Sequence, residues 1–191
     1  LRDYRFDIKM KELGSKSMQL FKVELVHRYR WQRPRPVFEK KDFRGNSDGF
    51  NKEYPVILST TYSIKGTLST EHIYDYLIVD EASQVDLATG VLAFSCAKNI
   101  IIVGDQKQLP NVLTADDIRI ADTIWDRYNF DARYHFASHS MLASAAEIWQ
   151  DAPSVMLREH YRCHPKIANF FNQKFYNGEL IVMTEDHDEN D

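Results

Sequence analysis

A chain of 191 residues, 43% hydrophobic and 13% aromatic, is long enough to bury one core, and its two cysteines are too few for a disulfide framework. No stretch approaches eighteen consecutive apolar residues and no charged-then-apolar leader opens the chain, which points away from a membrane and toward an intracellular, cytoplasmic setting, with the nucleus also open. The net charge of −4 conceals an asymmetry: residues 1–44 carry thirteen Lys/Arg against six Asp/Glu, and the remainder eleven against twenty-two. The basic front end is the composition-level sign of a polyanionic partner. Five acids between Glu185 and Asp191 read as a solvated tail. The first residue is Leu1 rather than Met, so the expectation is a piece of a longer chain.

Taken in chain order, Met18, Phe21, Leu25 and Tyr29 recur at helical spacing and predict an amphipathic helix starting near Ser15 or Ser17, with a strand over Phe21 to Leu25 as the competing element. Two prolines between Trp31 and Pro36, and the turn-rich run Arg44 to Gly49, predict a linker over roughly 32–53. Beyond Pro55 the pattern changes. Val56-Ile57-Leu58, Tyr76-Leu77-Ile78-Val79, Ile100-Ile101-Ile102-Val103 and Val155-Met156-Leu157 read as four strands buried on both faces. Stretches of helical length lie between them, Val85 to Cys96, Thr114 to Tyr128 and Ser138 to Trp149. That alternation predicts an α/β fold with a parallel sheet and flanking helices, in which chemistry collects at the carboxyl ends of the strands.

Two strand ends carry such chemistry. Asp80-Glu81-Ala82-Ser83-Gln84 follows the second strand, and adjacent carboxylates there suit a divalent metal on one and polarisation of an attacking water by the other. The same pair would also sit comfortably as surface acids before a helix N-terminus. Gly104-Asp105-Gln106-Lys107-Gln108-Leu109-Pro110 follows the third strand. Its glycine permits a sharp turn, and the long Gln108 amide can reach a phosphate without bringing charge. A polar turn closing a strand would look alike. Both segments would open on one rim of the sheet.

With these residues in place a resemblance becomes specific. YDYLIVDEASQ (Tyr74 to Gln84) and GDQKQLP (Gly104 to Pro110) resemble motif II, the Walker B motif, and motif III of superfamily 1 helicases. LREHYRCHPKIANFFNQKFYNGEL (Leu157 to Leu180) resembles the opening of the second RecA-like domain in the branch of the nonsense-mediated-decay helicase and its relatives, with their AAA-type ATPase motifs. Pro55 to Ile64 resembles the strand and loop ahead of motif II, so the similarity runs from about Tyr54 to Leu180.

The resemblance implies an incomplete RecA-like, P-loop NTPase core that uses ATP and Mg²⁺. In it Asp80 would hold the metal, Glu81 would be the general base, Gln108 would sense the γ-phosphate, and Arg162 would be the arginine finger. Asp80, Gln108 and Arg162 would together meet the nucleotide. Thr60 and Thr61 fall where the family touches the nucleic-acid backbone, though strand-end threonines are also ordinary structure. The chain departs from the family in one large respect: no GxxxxGK[ST] loop occurs in it. Three divisions follow: a basic, partly helical arm with linker over 1–53, the later part of a first RecA-like domain over 54–152, and the start of a second over 153–191 with the acidic tail.

His27 to Arg35 mixes cations with aromatics, a composition suited to stacking bases and following phosphates. Arg28, Arg30, Trp31 and Arg33 are the candidate nucleic-acid residues; a solvated helix end would have the same composition. The functional expectation is part of an ATP-dependent helicase or translocase acting on DNA or RNA, with single strands as the expected partner. This piece is expected to be inactive without the remainder of its chain. A non-catalytic nucleic-acid or protein binding module and a helicase-like remodelling ATPase are the alternatives.

Overall fold

The computed structural model describes residues 2–31, 35–67, 69 and 71–185, with side chains from residue 8 onward. It divides into two compact units, residues 1–43 and 44–191. The first is dominated by one long helix, α1 (Arg2–Tyr29). Gly14 does not interrupt it, and the competing strand over Phe21 to Leu25 does not form. Met18 and Phe21 on the expected apolar stripe are exposed, whereas Leu25 and Tyr29 are half-buried, so the stripe is covered only at its end.

The expected linker is partly helical. In α2 (Asp42–Gly45) and α3 (Ser47–Glu53) the turn-forming residues act as caps: the Asn46 side chain accepts from the Gly49 N–H at 3.2 Å. The Ser47 hydroxyl, in turn, accepts from the Ser69 N–H at 2.9 Å. His72 Nδ1 lies 2.8 Å from Asp48 Oδ1, and its Nε2 lies 2.9 Å from Asn51 Nδ2. These bonds pin α3 to the segment that leads into the sheet.

The core of the second unit is a parallel pair, β1 (Tyr74–Val79) beside β2 (Ala97–Ile102), in register from Tyr74 opposite Ala97 to Val79 opposite Ile102. The crossover between them is α4 (Leu87–Phe94), capped by Asp86, whose carboxylate accepts from the Thr89 N–H at 2.9 Å. After β2 come α5 (Ala115–Tyr128) and α6 (Met141–Ile148). All three helices match the expected stretches, shortened by a few residues at their ends. Val79, Ala82 and Met141 form one buried cluster, completed by Leu77, Val85, Ile102 and Leu142. Ile64, Ala93 and Cys96 form a second against Tyr74 and Leu77.

Two strand expectations need correction. Val56–Leu58 and Val155–Leu157 form no strand, and Val56, Leu58, Val155 and Leu157 are all more than three-quarters exposed. A strand exists only as one side of a ladder, and among the described residues neither run has a neighbour to complete one. The pairing falls instead on two residues each of β3 (Glu159–His160) and β4 (Ile181–Val182), parallel and separated by α7 (Pro165–Phe175). Burial on both faces also fails for β1 and β2: Leu77 and Val79 pack inward, whereas Tyr76, Ile78 and Ile101 are 66%, 65% and 46% exposed. Among the described residues helices cover one face of this sheet only. The outer edge of β1 pairs with no strand there either. No helix of the described residues is long and apolar enough to cross a membrane.

Candidate active site

The register Val79 opposite Ile102 brings both motif-bearing strands to an end at the same level, so Asp80-Glu81 and Gly104-Asp105 leave the sheet side by side. Backbone bonds then stitch the two segments. Val103 N donates to Val79 O at 2.8 Å, Ala82 N to Val103 O at 3.0 Å, and Asn111 N to Ser83 O at 3.1 Å. Gly104 suits this approach: a Cβ there would stand 3.0 Å from Ala82 N and from Leu142 Cδ2, and 3.2 Å from Ser83 N, so its neighbours would have to give by a few tenths of an ångström.

Asp80 and Glu81 are exposed at this rim. Asp80 Oδ1 accepts from the Glu81 N–H at 2.9 Å, which fixes its carboxylate. Glu81 adopts φ 50°, ψ 41°, the left-handed region that a residue with a Cβ enters at a cost of about 1–2 kcal/mol. That conformation turns the chain out of β1 and into the short helical turn Ala82–Gln84, whose Ala82 and Ser83 are buried. The Ser83 hydroxyl is buried without a hydrogen-bond partner among the described residues. Hard oxygen donors are therefore present at Asp80, while among the described residues no three His, Cys, Asp or Glu side chains converge into a metal cage.

Gln108 is exposed on the turn after β2, its amide donating to Asp105 Oδ2 at 3.2 Å. Asp105 Oδ1 accepts from the Lys107 N–H at 2.9 Å. The Tyr176 hydroxyl, just past α7, donates to Asp105 Oδ2 as well. Partial burial, then the bond to Asp105 and the negative charge of that carboxylate, push the Tyr176 hydroxyl up to about 12, so it remains a donor throughout the neutral range.

The structure therefore brings Asp80, Glu81 and the Gln108 loop to one rim. Arg162 is not brought onto them. It is exposed in the turn between β3 and α7 and lines a cleft of about 430 Å³ with Cys163, His164, Met183, Thr184 and Glu185. Thr60 is exposed, its hydroxyl accepting from the Ser63 N–H at 3.2 Å. Thr61 donates at 3.4 Å to Thr89, whose own hydroxyl donates to Asp86 at the start of α4. Both hydroxyls serve local structure. In the first unit, Arg35 and Arg28 stand 4.2 and 5.6 Å from the Tyr29 ring centroid, and Arg30 stands 5.2 Å from that of Trp31, itself 85% exposed. Arg33 lies outside the described residues.

Sequence reasoning missed Asp105 and Tyr176 as site residues. Asp105 had a usable signal, being the first charged residue after a strand on the chemical rim. Tyr176 had none, because its role depends on a contact across 71 positions of sequence.

The chain is similar to known proteins along much of its length. The AAA domain family matches residues 28–116. An uncharacterized ATP-dependent helicase from Mycoplasma pneumoniae, the MG140 homolog, is 32% identical over 146 residues, 74% of this chain and 13% of that protein. The probable helicase MAGATAMA 3 of Arabidopsis thaliana is 30% identical over 132 residues, 67% of this chain and 14% of its own length. The DNA replication ATP-dependent helicase/nuclease of Gallus gallus is 26% identical over 134 residues, 69% of this chain and 12% of its length. The fold is thus an incomplete α/β, RecA-like one, and the chain carries a superfamily 1 helicase-like region. It corresponds to part of a helicase domain and spans only about an eighth of the relatives it matches.

Proposed function

We propose that the protein containing this chain is an ATP-dependent helicase or translocase that couples ATP hydrolysis to movement along nucleic acid. The observation that carries this reading is the pair of strand-end segments stitched at one rim, with Asp80 and Glu81 on one and Gln108 on the other. Residues 54–152 are read as the later part of the first RecA-like lobe and residues 153–191 as the start of the second, with residues 1–53 as a basic arm.

The donor set at the rim fits magnesium. A single carboxylate, Asp80, would contact the ion while water and phosphate oxygens complete its shell, the usual manner for Mg²⁺ and unlike an all-protein cage. When bound, Mg-ATP supplies the phosphoanhydride and the charge neutralisation of phosphoryl transfer. Asp80 orients that charge. Glu81, held in its left-handed turn beside Asp80, accepts the proton of the attacking water. Gln108 presents a neutral amide that reports on the terminal phosphate. Arg162 acts as the finger after the β3 to α7 turn is carried toward the rim, since here it lies apart from it. The chain contains no GxxxxGK[ST] loop, so its own grip on phosphate is weak and the 191 residues alone are read as inactive.

The partner is read as nucleic acid, supported by the relatives' names, one of which specifies DNA, and as single-stranded from the basic, aromatic stretch Arg28 to Arg35. The test is phosphate release by the full-length protein with and without single-stranded DNA or RNA, followed by strand displacement on duplexes with 5′ or 3′ overhangs. Stimulated hydrolysis with displacement supports a helicase, and stimulated hydrolysis without it a remodelling ATPase. Tight binding with no hydrolysis would replace this reading with a non-catalytic binding module.

A further inference from the structure

Asp105 is a junction rather than a turn residue. Its Oδ1 is taken by the Lys107 N–H at 2.9 Å, and its Oδ2 serves two donors, the Gln108 amide at 3.2 Å and the Tyr176 hydroxyl. The second donor comes from a firmly built corner. Buried Asn172 accepts from Leu180 N at 2.9 Å and donates to Leu180 O at 3.0 Å, while its backbone carbonyl receives both Tyr176 N and Gly178 N. Asn177 and Gly178 take positive φ, 53° and 77°, to close the turn between them. Phe171 packs edge-on to the Tyr176 ring, centroids 6.2 Å apart. Asn172 and Phe171 thus hold Tyr176 by backbone and ring, and its hydroxyl is free to make or break one bond as the corner shifts.

We propose that Tyr176 is a positioning residue: its hydroxyl, bonded to Asp105 Oδ2, sets the orientation of the Gln108 amide and links the α7 corner to the phosphate-sensing turn. This rests on the ATPase reading of Gln108 given above. With Tyr176 in place, Oδ2 shares its acceptor capacity and Gln108 is held loosely at 3.2 Å; withdrawal of α7 leaves that oxygen to Gln108 alone. A movement of the corner is thereby converted into a change at the sensor. The raised proton affinity of the tyrosine keeps the donor protonated in the neutral range.

Two measurements separate this inference from the reading on which it rests. On the 191-residue chain, the side-chain amide resonances of ¹⁵N-labelled glutamine are recorded, with Gln108 identified through Gln108→Ala. Tyr176→Phe, which keeps the ring, and Asp105→Asn should each shift the Gln108 signal, whereas an unmoved signal in a Tyr176→Phe chain of unchanged melting temperature overturns the link. Should Tyr176→Phe fail to fold, the same spectra are taken on Tyr176→Leu, which also removes the donor, and an unmoved Gln108 signal there overturns the link equally. In the full-length protein, Tyr176→Phe should lower nucleic-acid-stimulated kcat about tenfold with KM for ATP little changed. Tyr176→Phe with Asp105→Asn should lose no more than the larger single effect. Additive losses, or wild-type stimulated kcat in Tyr176→Phe, overturn the functional link. Absence of all hydrolysis in the wild type instead removes the ATPase reading, and the glutamine spectra alone then decide the contact.

Discussion

The backbone nitrogen of Ala82 lies 3.0 Å from where a Cβ on Gly104 would stand, so the two strand-end segments meet more closely than an ordinary Cβ contact allows. The obstacle is backbone on one side and Leu142 Cδ2, at the same distance, on the other. Gly104→Ala should therefore destabilise the fold by about 1–3 kcal/mol, the usual range for overpacking, because the Ala82 and Ser83 backbone cannot rotate away as the Leu142 side chain can. Denaturant titration of the isolated chain reads this directly, and an unchanged midpoint would mean the segments are not stitched as described.

Arg162 lies on the cleft between the β3 to α7 turn and the residues after β4, and acts only if that turn is brought to the nucleotide. If it is the finger, Arg162→Ala in the full-length protein should slow ATP hydrolysis by about 10³-fold with little effect on nucleotide binding. A loss of about twofold would give the side chain a local structural role instead.

The stacked cations at the end of α1 carry a prediction about salt. Exchange of Arg28, Arg30, Arg33 and Arg35 for glutamine should weaken nucleic-acid binding and flatten its dependence on salt concentration, because fewer counterions are released per complex. Fluorescence anisotropy at several salt concentrations measures both. An unchanged slope would give Arg28, Arg30 and Arg35 a local role against the Tyr29 and Trp31 rings instead.

Helix α5 starts with a reciprocal cap: Thr114 Oγ1 accepts from Asp117 N at 3.2 Å and donates to Asp117 Oδ2 at 2.6 Å, while Thr114 N donates to the same oxygen at 3.1 Å. Those bonds hold the Asp117 carboxyl below its ordinary range, the Thr114 hydroxyl contributing most and the Thr114 backbone next. A depressed folded-state value means that the stabilisation is complete above the unfolded value of about 3.9 and is lost as the pH falls through the folded one. Amide exchange in the first turn of α5 should accelerate as the pH falls below about 4, beyond the intrinsic pH effect, and Thr114→Ala should show the faster exchange already at neutral pH. Equal protection factors in both chains at neutral pH would contradict the cap.

Helices were legible because their signals are local. Thr114 with Asp117, and Ser140 accepting from the Ala143 N–H at 3.2 Å, mark starts that spacing alone suggests. The motif-bearing strands were legible too, since Tyr76 to Val79 and Ile100 to Ile102 find each other. Val56–Leu58 and Val155–Leu157 have equally good strand composition and form none, because pairing depends on a partner elsewhere and apolar content says nothing of whether one is present. Within the linker the ambiguity is related: Asn46 and Ser47 read as turn formers, and a helix N-terminus draws on the same residues. At the site, Asp80, Glu81 and Gln108 could be named from the sequence. The Tyr176 contact, which ties their loop to α7, could not.

The central claim, that Glu81 is the base of an ATP-hydrolysing site built on this rim, is tested most directly by steady-state ATP turnover of the full-length protein against Glu81→Gln, with Mg-nucleotide binding measured on both by calorimetry. The substitution keeps size and hydrogen bonding but removes the proton acceptor. The account predicts turnover lost by about 10²-fold or more while nucleotide still binds within a few-fold of wild type. Near-normal hydrolysis by Glu81→Gln would contradict it.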